Sequence, residues 1–177
     1  MNDEIQIIKL SPDKWQLFKE LRLESLREEP QAFGQSYDEA LKLSDDTWKT
    51  KLEAALNGTS FWMFFATDDE KLIGSMNGRQ LEGEKLNHVA EIHGVYVKKE
   101  YRGKGIAKKL METLLDEISK NSTIRKIKLT ANTEQTAAVK LYESFGFRII
   151  GKAEKELNIT GNYVDEYLME KLTDNLA

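Results

Sequence analysis

The chain has 177 residues, with 26 Lys and Arg against 30 Asp and Glu, a formal net charge of −4. That length fits a domain of roughly 100–200 residues with a core of its own. The negative balance argues against nonspecific nucleic-acid binding, and the absence of cysteine excludes disulfides, thiolate metal sites and cysteine nucleophiles.

The opening residues Met1-Asn-Asp-Glu4 are acidic and precede no apolar h-region, so no secretory signal is expected. The longest apolar run, Phe61 to Ala66, has the length of a strand and falls far short of the ~20 residues of a spanning helix. A cytoplasmic protein with no membrane segment is the expectation. Ile5 to Leu10 reads as an edge strand. Ser11-Pro12-Asp13 reads as a helix start, with serine as N-cap and proline at the first helical position. Leu17, Leu21 and Leu26, with Phe18 nearby, give that helix an apolar stripe, and it should stop before Pro30.

Glu29 to Leu43 is a mixed segment containing Phe33, Gly34 and Tyr37. Ser44-Asp-Asp-Thr opens a second helix carrying Trp48, Leu52, Ala55 and Leu56, closed by Asn57-Gly58. The period then shortens. Phe61 to Thr67, Lys71 to Leu81 and Asn87 to Val97 read as three strands of an antiparallel meander. A glycine-rich segment, Tyr101 to Ala107, opens a helix that reaches Ser119. Lys126 to Ala131 is a strand, and Thr136 to Ser144 a short helix closed by Gly146. Phe147 to Leu157 and Tyr163 to Leu172 form a hairpin around Thr160-Gly161-Asn162. The expected architecture is mixed α/β, a mostly antiparallel central sheet flanked by helices in a single domain over residues 1–177.

The chemistry concentrates after Glu91-Ile-His-Gly-Val-Tyr-Val97, where a strand runs into Arg102-Gly-Lys-Gly-Ile-Ala107 and a helix begins. Unpaired amides and the helix dipole make such a turn a place for an anion. Arg102, Lys104 and Lys108 add positive charge, and glycines at 103 and 105 allow close backbone approach. The dinucleotide fingerprint G-x-G-x-x-G fails because Lys108 stands where a third glycine is needed. The phosphate-binding pattern of nucleotide triphosphatases fails because Gly105, not Ser or Thr, follows Lys104. Taken alone, the turn has a simple strand-to-helix connection as its lesser reading.

Two blocks together go further. Arg102-Gly-Lys-Gly105-Ile-Ala107 resembles the pyrophosphate loop of the GNAT superfamily of acetyl-CoA-dependent N-acetyltransferases, in which Arg or Gln is followed by Gly three positions on and by Gly or Ala two further. About thirty residues later, Leu129-Thr-Ala-Asn132 and Ala137-Ala-Val-Lys-Leu-Tyr142-Glu-Ser-Phe-Gly-Phe147 resemble the same family's second signature. The likeness spans residues 87–172 most closely.

The resemblance implies an acyl-CoA N-acyltransferase fold, acetyl-CoA as acetyl donor, a primary amine as acceptor (a small molecule or a peptide N-terminus), and direct attack in a ternary complex without metal. It implies that the amides of Gly103, Lys104, Gly105, Ile106, Ala107 and Lys108 hold the coenzyme A pyrophosphate, with Arg102 supporting the loop. Val95, Tyr96 and Val97 would pair through their main chain with the pantetheine arm, and an amide near Val95 would polarise the thioester carbonyl. Asn132 would bond that arm, and Ala137 and Ala138 would line its side of the short helix. Tyr142 would protonate the departing thiolate. Its reading as a packed aromatic beside Phe145 and Phe147 is compatible with that role.

The amine must also lose a proton before it attacks. On a regular strand Glu91 and His93 share a face, and a bulge would upset that alignment. The base is left among Glu91, His93 and a water relay, with a structural ion pair as the other reading of Glu91. The acceptor pocket implied by the resemblance draws on Arg22, Glu24 and Glu28 of the first helix, on Phe33, Gln35 and Tyr37 of the loop, and on Tyr163 and Asp165 of the last hairpin. Of these, Glu24, Phe33, Tyr37 and Tyr163, with His93, are the candidate substrate contacts. The acids among them favour a cationic amine, unless they are ordinary surface carboxylates. His88 and His93 are too few and wrongly spaced for a metal site. The alternative function is a catalytically silent acyl-CoA-binding sensor or interaction module; a nucleic-acid binder fits poorly with the negative net charge and is not expected, and an edge strand could extend the sheet across a homodimer.

Overall fold

The computed structural model describes residues 5–173, so the reading of Met1 to Glu4 lies outside it. Seven strands, β1 (Gln6–Ile8), β2 (Phe61–Asp68), β3 (Lys71–Gln80), β4 (Val89–Val97), β5 (Lys126–Asn132), β6 (Arg148–Ile159) and β7 (Asn162–Leu172), form one sheet in the order β1-β2-β3-β4-β5-β7-β6. Every neighbouring pair is antiparallel except β4–β5. The helices are α1 (Trp15–Glu28), α2 (Tyr37–Leu41), α3 (Asp45–Asn57), α4 (Ile106–Ser119) and α5 (Thr136–Ser144). None of the described helices is long and apolar enough to cross a membrane.

The run Phe61 to Ala66 is apolar throughout because β2 is covered on both faces. Trp62, Phe64 and Ala66 pack with Ile106, Leu110, Met111, Leu114 and Ile118 of α4. Met63 and Phe65, on the alternate face, pack with Phe18 and Leu21 of α1 and Trp48 and Leu52 of α3. Phe18 anchors that second layer with edge-on contacts to Trp48 and Phe65, at ring distances of 5.1 and 5.5 Å.

Three local expectations change. Ser11 makes no side-chain cap, and Pro12–Lys14 is a 3-10 turn that delivers the chain into α1 at Trp15. The mixed segment contains α2, whose start is a reciprocal cap. Glu39 N–H donates to Ser36 Oγ at 3.2 Å, and Ser36 N–H donates to Glu39 Oε2 at 2.8 Å. Leu56 is 43% exposed and does not extend the apolar stripe of α3.

Candidate active site

The site is made by strands that part. β4 and β5 pair only from Val89–Glu91 against Lys126–Lys128. Beyond that point β5 continues along β7 to Asn132, while β4 continues along β3 to Val97. The backbone of Ile92–Val97 thus faces an open wedge with its hydrogen-bonding groups available to an extended ligand.

A bulge shapes the wedge. Asn77 pairs with His93 and Ser75 with Tyr96, so Gly94 and Val95 together stand opposite Met76. Gly94 has φ +65°, and a Cβ there would lie 2.4 Å from Asn77 Nδ2. The bulge begins after His93, so the shared face of Glu91 and His93 survives it. Downstream it reverses the alternation. The Tyr96 side chain joins the α1–α3 core, and its hydroxyl donates to Glu28 at 3.1 Å and Glu24 at 3.3 Å.

The wedge opens into a groove of about 560 Å³ walled by Val95–Val97, by Arg102, Gly103 and Gly105–Lys108, and by Ala137, Ala138, Leu141 and Tyr142 of α5. Gly103 and Gly105 both take φ +76°, and a Cβ at either would meet no protein atom within 4 Å. They curve the chain so that the first amides of α4, which have no helical acceptor, point outward. Arg102 fixes this loop: its Nε donates to the Val97 carbonyl at 2.9 Å, and its guanidinium pairs with Glu29 at 2.8 Å. Lys104 instead lies over the Tyr101 ring, 4.9 Å from its centre, and does not line the groove. A glycine-curved loop at the N-terminus of a 14-residue helix, beside a strand with free main-chain groups, fits a pyrophosphate followed by an amide-bearing arm.

Tyr142 is 5% exposed and lines both this groove and an adjoining cavity of about 470 Å³. Its ring packs edge-on to Phe147 at 6.3 Å, and burial pushes its phenol above the ordinary value of 10. Asn132, 2% exposed, also borders that cavity. Its Nδ2 donates to the Gln31 carbonyl at 3.3 Å and its Oδ1 accepts from Glu134 N–H at 2.8 Å, so the side chain holds the Pro30–Ala32 turn against β5.

On the opposite side, a second cavity of about 470 Å³ lies between α1, α3 and the sheet. His93 lines both cavities. The His93 side chain keeps solvent contact, but desolvation by the surrounding cleft walls, followed by the nearby Arg79 guanidinium, lowers its imidazole below the ordinary 6.5, against partial compensation from Glu91. Glu91 is engaged elsewhere, accepting from Arg79 Nε and Nη2 at 3.0 and 2.7 Å and pairing with Lys128 at 3.2 Å. Burial alone would raise its carboxyl, but these cations outweigh burial and hold it below 4.5.

The expected acidic surroundings of the acceptor do not form around these cavities in the anticipated way. Glu24 bonds Lys98 at 2.8 Å, Asp165 bonds Lys152 at 3.0 Å and the Lys155 amide at 2.8 Å, and neither borders either cavity. Tyr37 accepts a hydrogen bond from Arg27 at 3.2 Å, and Tyr163 is 59% exposed on the last hairpin; they too lie outside both cavities. Phe33 does line the Tyr142 cavity, with the Arg22 guanidinium 4.5 Å above its ring. Residues that sequence reasoning passed over are Lys51, Asn77, Arg79 and Glu166. A signal existed for one of the basic ones: Lys51 falls three residues after Trp48 and so interrupts a buried helical stripe. Among the described residues no cluster of three or more His, Cys, Asp or Glu is placed to hold a metal ion.

Known proteins share the fold and the family of this chain. The L-amino acid N-acetyltransferase AaaT of Escherichia coli (strain K12) is 26% identical over 129 residues, covering 73% of this chain and 77% of that protein. Among solved structures, a GNAT-family acetyltransferase from Streptococcus pneumoniae superposes with a TM-score of 0.87 at 23% identity, covering 96% of this chain and all of that one (100%). The protein yncA from Salmonella typhimurium, solved with its cofactor acetyl-CoA, superposes with a TM-score of 0.81 at 16% identity over 98% of this chain and 96% of its own. The model of the acetyltransferase (GNAT) family matches residues 18–147, and the chain belongs to that family.

Proposed function

We propose that the protein transfers the acetyl group of acetyl-CoA to the nitrogen of a primary amine, by direct attack while both substrates are bound. The observation that carries this reading is the meeting of three features at one place: the parted β4–β5 strands, the glycine-curved loop before α4, and the buried Tyr142 between groove and cavity.

Acetyl-CoA would supply an activated thioester carbon. The amides of Gly103–Lys108 bind its pyrophosphate, and Arg102 keeps the loop in place through Val97 and Glu29. The freed main chain of Val95–Val97 orients the pantetheine arm, and the Val95 amide polarises the thioester carbonyl. Ala137 and Ala138 shape the groove without crowding it. The amine enters as an ammonium ion and its nitrogen gives up two protons, one before attack and one as the C–N bond forms and the C–S bond breaks; the sulfur receives one and the other leaves to solvent. Tyr142, kept protonated by burial, donates to the sulfur. His93, kept neutral by its lowered pKa, accepts from the amine directly or through water. Glu91 serves as an anchor for Arg79 and Lys128 beside His93 rather than as the base.

The test is calorimetric titration with acetyl-CoA, followed by an assay for free coenzyme A thiol over a panel of amines. Turnover that falls at least about tenfold in Tyr142→Phe supports the reading. Binding without turnover on any amine would favour the silent sensor, and absence of binding would overturn both.

A further inference from the structure

The cavity between α1 and α3 and the cavity at Tyr142 are continuous in their lining, since Arg22, Gln35, His93 and Gly94 border both. Their charges differ. The first is lined by Arg22, Lys51, Arg79 and His93, with no Asp or Glu among its walls. The second adds Glu156 and Glu166 to Arg22 and His93. An occupant spanning both meets a cationic end and an acidic end.

The cationic end is not internally neutralised. Arg79 is matched by Glu91 at 2.7 Å. Arg22 has no carboxylate partner among the described residues; it donates one hydrogen bond, to Gln35 Oε1 at 3.2 Å, and stacks on Phe33. A guanidinium carries five N–H donors, so most of its capacity is left for a ligand. Desolvation lowers Arg22 to about 10 and, with Arg22 itself as second cause, lowers Lys51. Two neighbouring, half-buried cations without a counter-ion repel each other, and an anion between them relieves that cost. Two buried polar atoms without partners, Trp48 Nε1 and Asn77 Oδ1, belong to residues lining the same cavity.

Resting on the acetyltransferase reading, we propose that the acceptor is a small zwitterionic aminocarboxylate, a free amino acid in class, with its carboxylate on Arg22 and Lys51 and its amino group directed past His93 into the cavity of Glu166 and Tyr142. The volume of about 470 Å³ in each cavity suits a small molecule. A polyamine would set a second cation against Arg22. A peptide N-terminus would offer an amide carbonyl where the guanidinium calls for a full negative charge.

The experiment follows thiol release by the full chain with three acceptor sets: free amino acids, the same amino acids as carboxamides, and polyamines. We expect kcat/KM for at least one free amino acid to exceed that of its carboxamide by about 100-fold or more. Arg22→Gln should raise KM for that amino acid at least about tenfold, with the calorimetric Kd for acetyl-CoA unchanged, and should narrow the acid-over-amide preference. Lys51→Gln provides the same test if circular dichroism shows Arg22→Gln to be misfolded. Equal or better use of carboxamides, preference for polyamines, or an unchanged KM in both folded variants would overturn the proposal. If no acceptor turns over, each amino acid is titrated into the coenzyme A-loaded protein, and absence of binding overturns it equally. Failure to bind acetyl-CoA would instead overturn the acetyltransferase reading.

Discussion

Glu91 and Arg79 face each other across β4 and β3 as a registered pair, joined by two hydrogen bonds of 3.0 and 2.7 Å to a single carboxylate oxygen, Oε2. The other oxygen, Oε1, pairs with Lys128 at 3.2 Å. A carboxylate with both oxygens engaged and its pKa lowered is a weak proton acceptor. Glu91→Gln should therefore change kcat/KM by less than about tenfold, below the 10²–10⁴ of a general base. Its stability cost should be about 1 kcal/mol or less, since Arg79 remains well exposed. The depressed carboxyl stabilises the fold above its ordinary value of 4.5, and that contribution is lost as pH falls through the lower folded-state value. Urea melts of variant and parent should differ at pH 7 and converge as pH falls through that lowered value.

Tyr142→Phe separates packing from proton donation. The ring sits in a buried site against Phe147, and phenylalanine keeps that contact. We expect kcat to fall at least about tenfold, with Tm and the Kd for acetyl-CoA nearly unchanged. A fall in Tm of the size seen for a cavity mutation, with kcat preserved, would assign Tyr142 to the core alone.

The His93 imidazole titrates below 6.5, with Arg79, Glu91 and Arg22 acting on it. The neutral form is the proton acceptor, so kcat/KM should rise as pH increases through that lowered value and level off by about pH 7. His93→Gln should lose at least about tenfold in kcat/KM and flatten the acid limb. An acid limb that persists unchanged in the variant would remove His93 as the titrating base.

Much of this architecture could be read from the chain because local signals and tertiary demands coincide there. The apolar run of β2, the Ser44 cap, which accepts from Thr47 N–H at 3.3 Å, and the Arg102–Ala107 loop fold as their residue types dictate. The α2 cap was equally legible as Ser36-Tyr-Asp-Glu39, but the short helix behind it has too few apolar positions to show a period. The charge of the acceptor region was not legible. Glu24 and Glu28 lie on the same helix as Arg22, and which of them reaches a cavity depends on the β4 bulge, which turns Tyr96 toward the acids and binds them. That outcome rests on pairing between residues some seventy positions apart, which one-dimensional periodicity does not encode.

Gly105→Ala tests the loop. At φ +76° an added Cβ costs about 1–2 kcal/mol of backbone strain even though no protein atom obstructs it. The open space it would enter is where the first amides of α4 face the groove. Calorimetry should show the Kd for acetyl-CoA weakened at least about tenfold, which is 1.4 kcal/mol, with the sheet intact by circular dichroism. An unchanged Kd would place the pyrophosphate elsewhere.

Gly94→Ala should be the more damaging glycine substitution, and the contrast with Gly105 is the informative part. Both residues have positive φ, but at Gly94 the new methyl would lie 2.4 Å from Asn77 Nδ2, and Asn77 is wedged into the sheet beside the bulge. Relief requires moving Asn77 or regularising β4, and a regular β4 would turn Tyr96 away from Glu24 and Glu28. Backbone strain and overpacking together should cost about 2–4 kcal/mol. Acetyl transfer should fall further than the loss of folded protein explains, because the bulge is next to Val95, which lines the groove and is proposed to polarise the thioester carbonyl. Asn77→Ala removes the clash and should restore part of the stability of the Gly94→Ala chain. If the double variant is no more stable than the single one, the strain lies in the backbone rather than in the contact with Asn77.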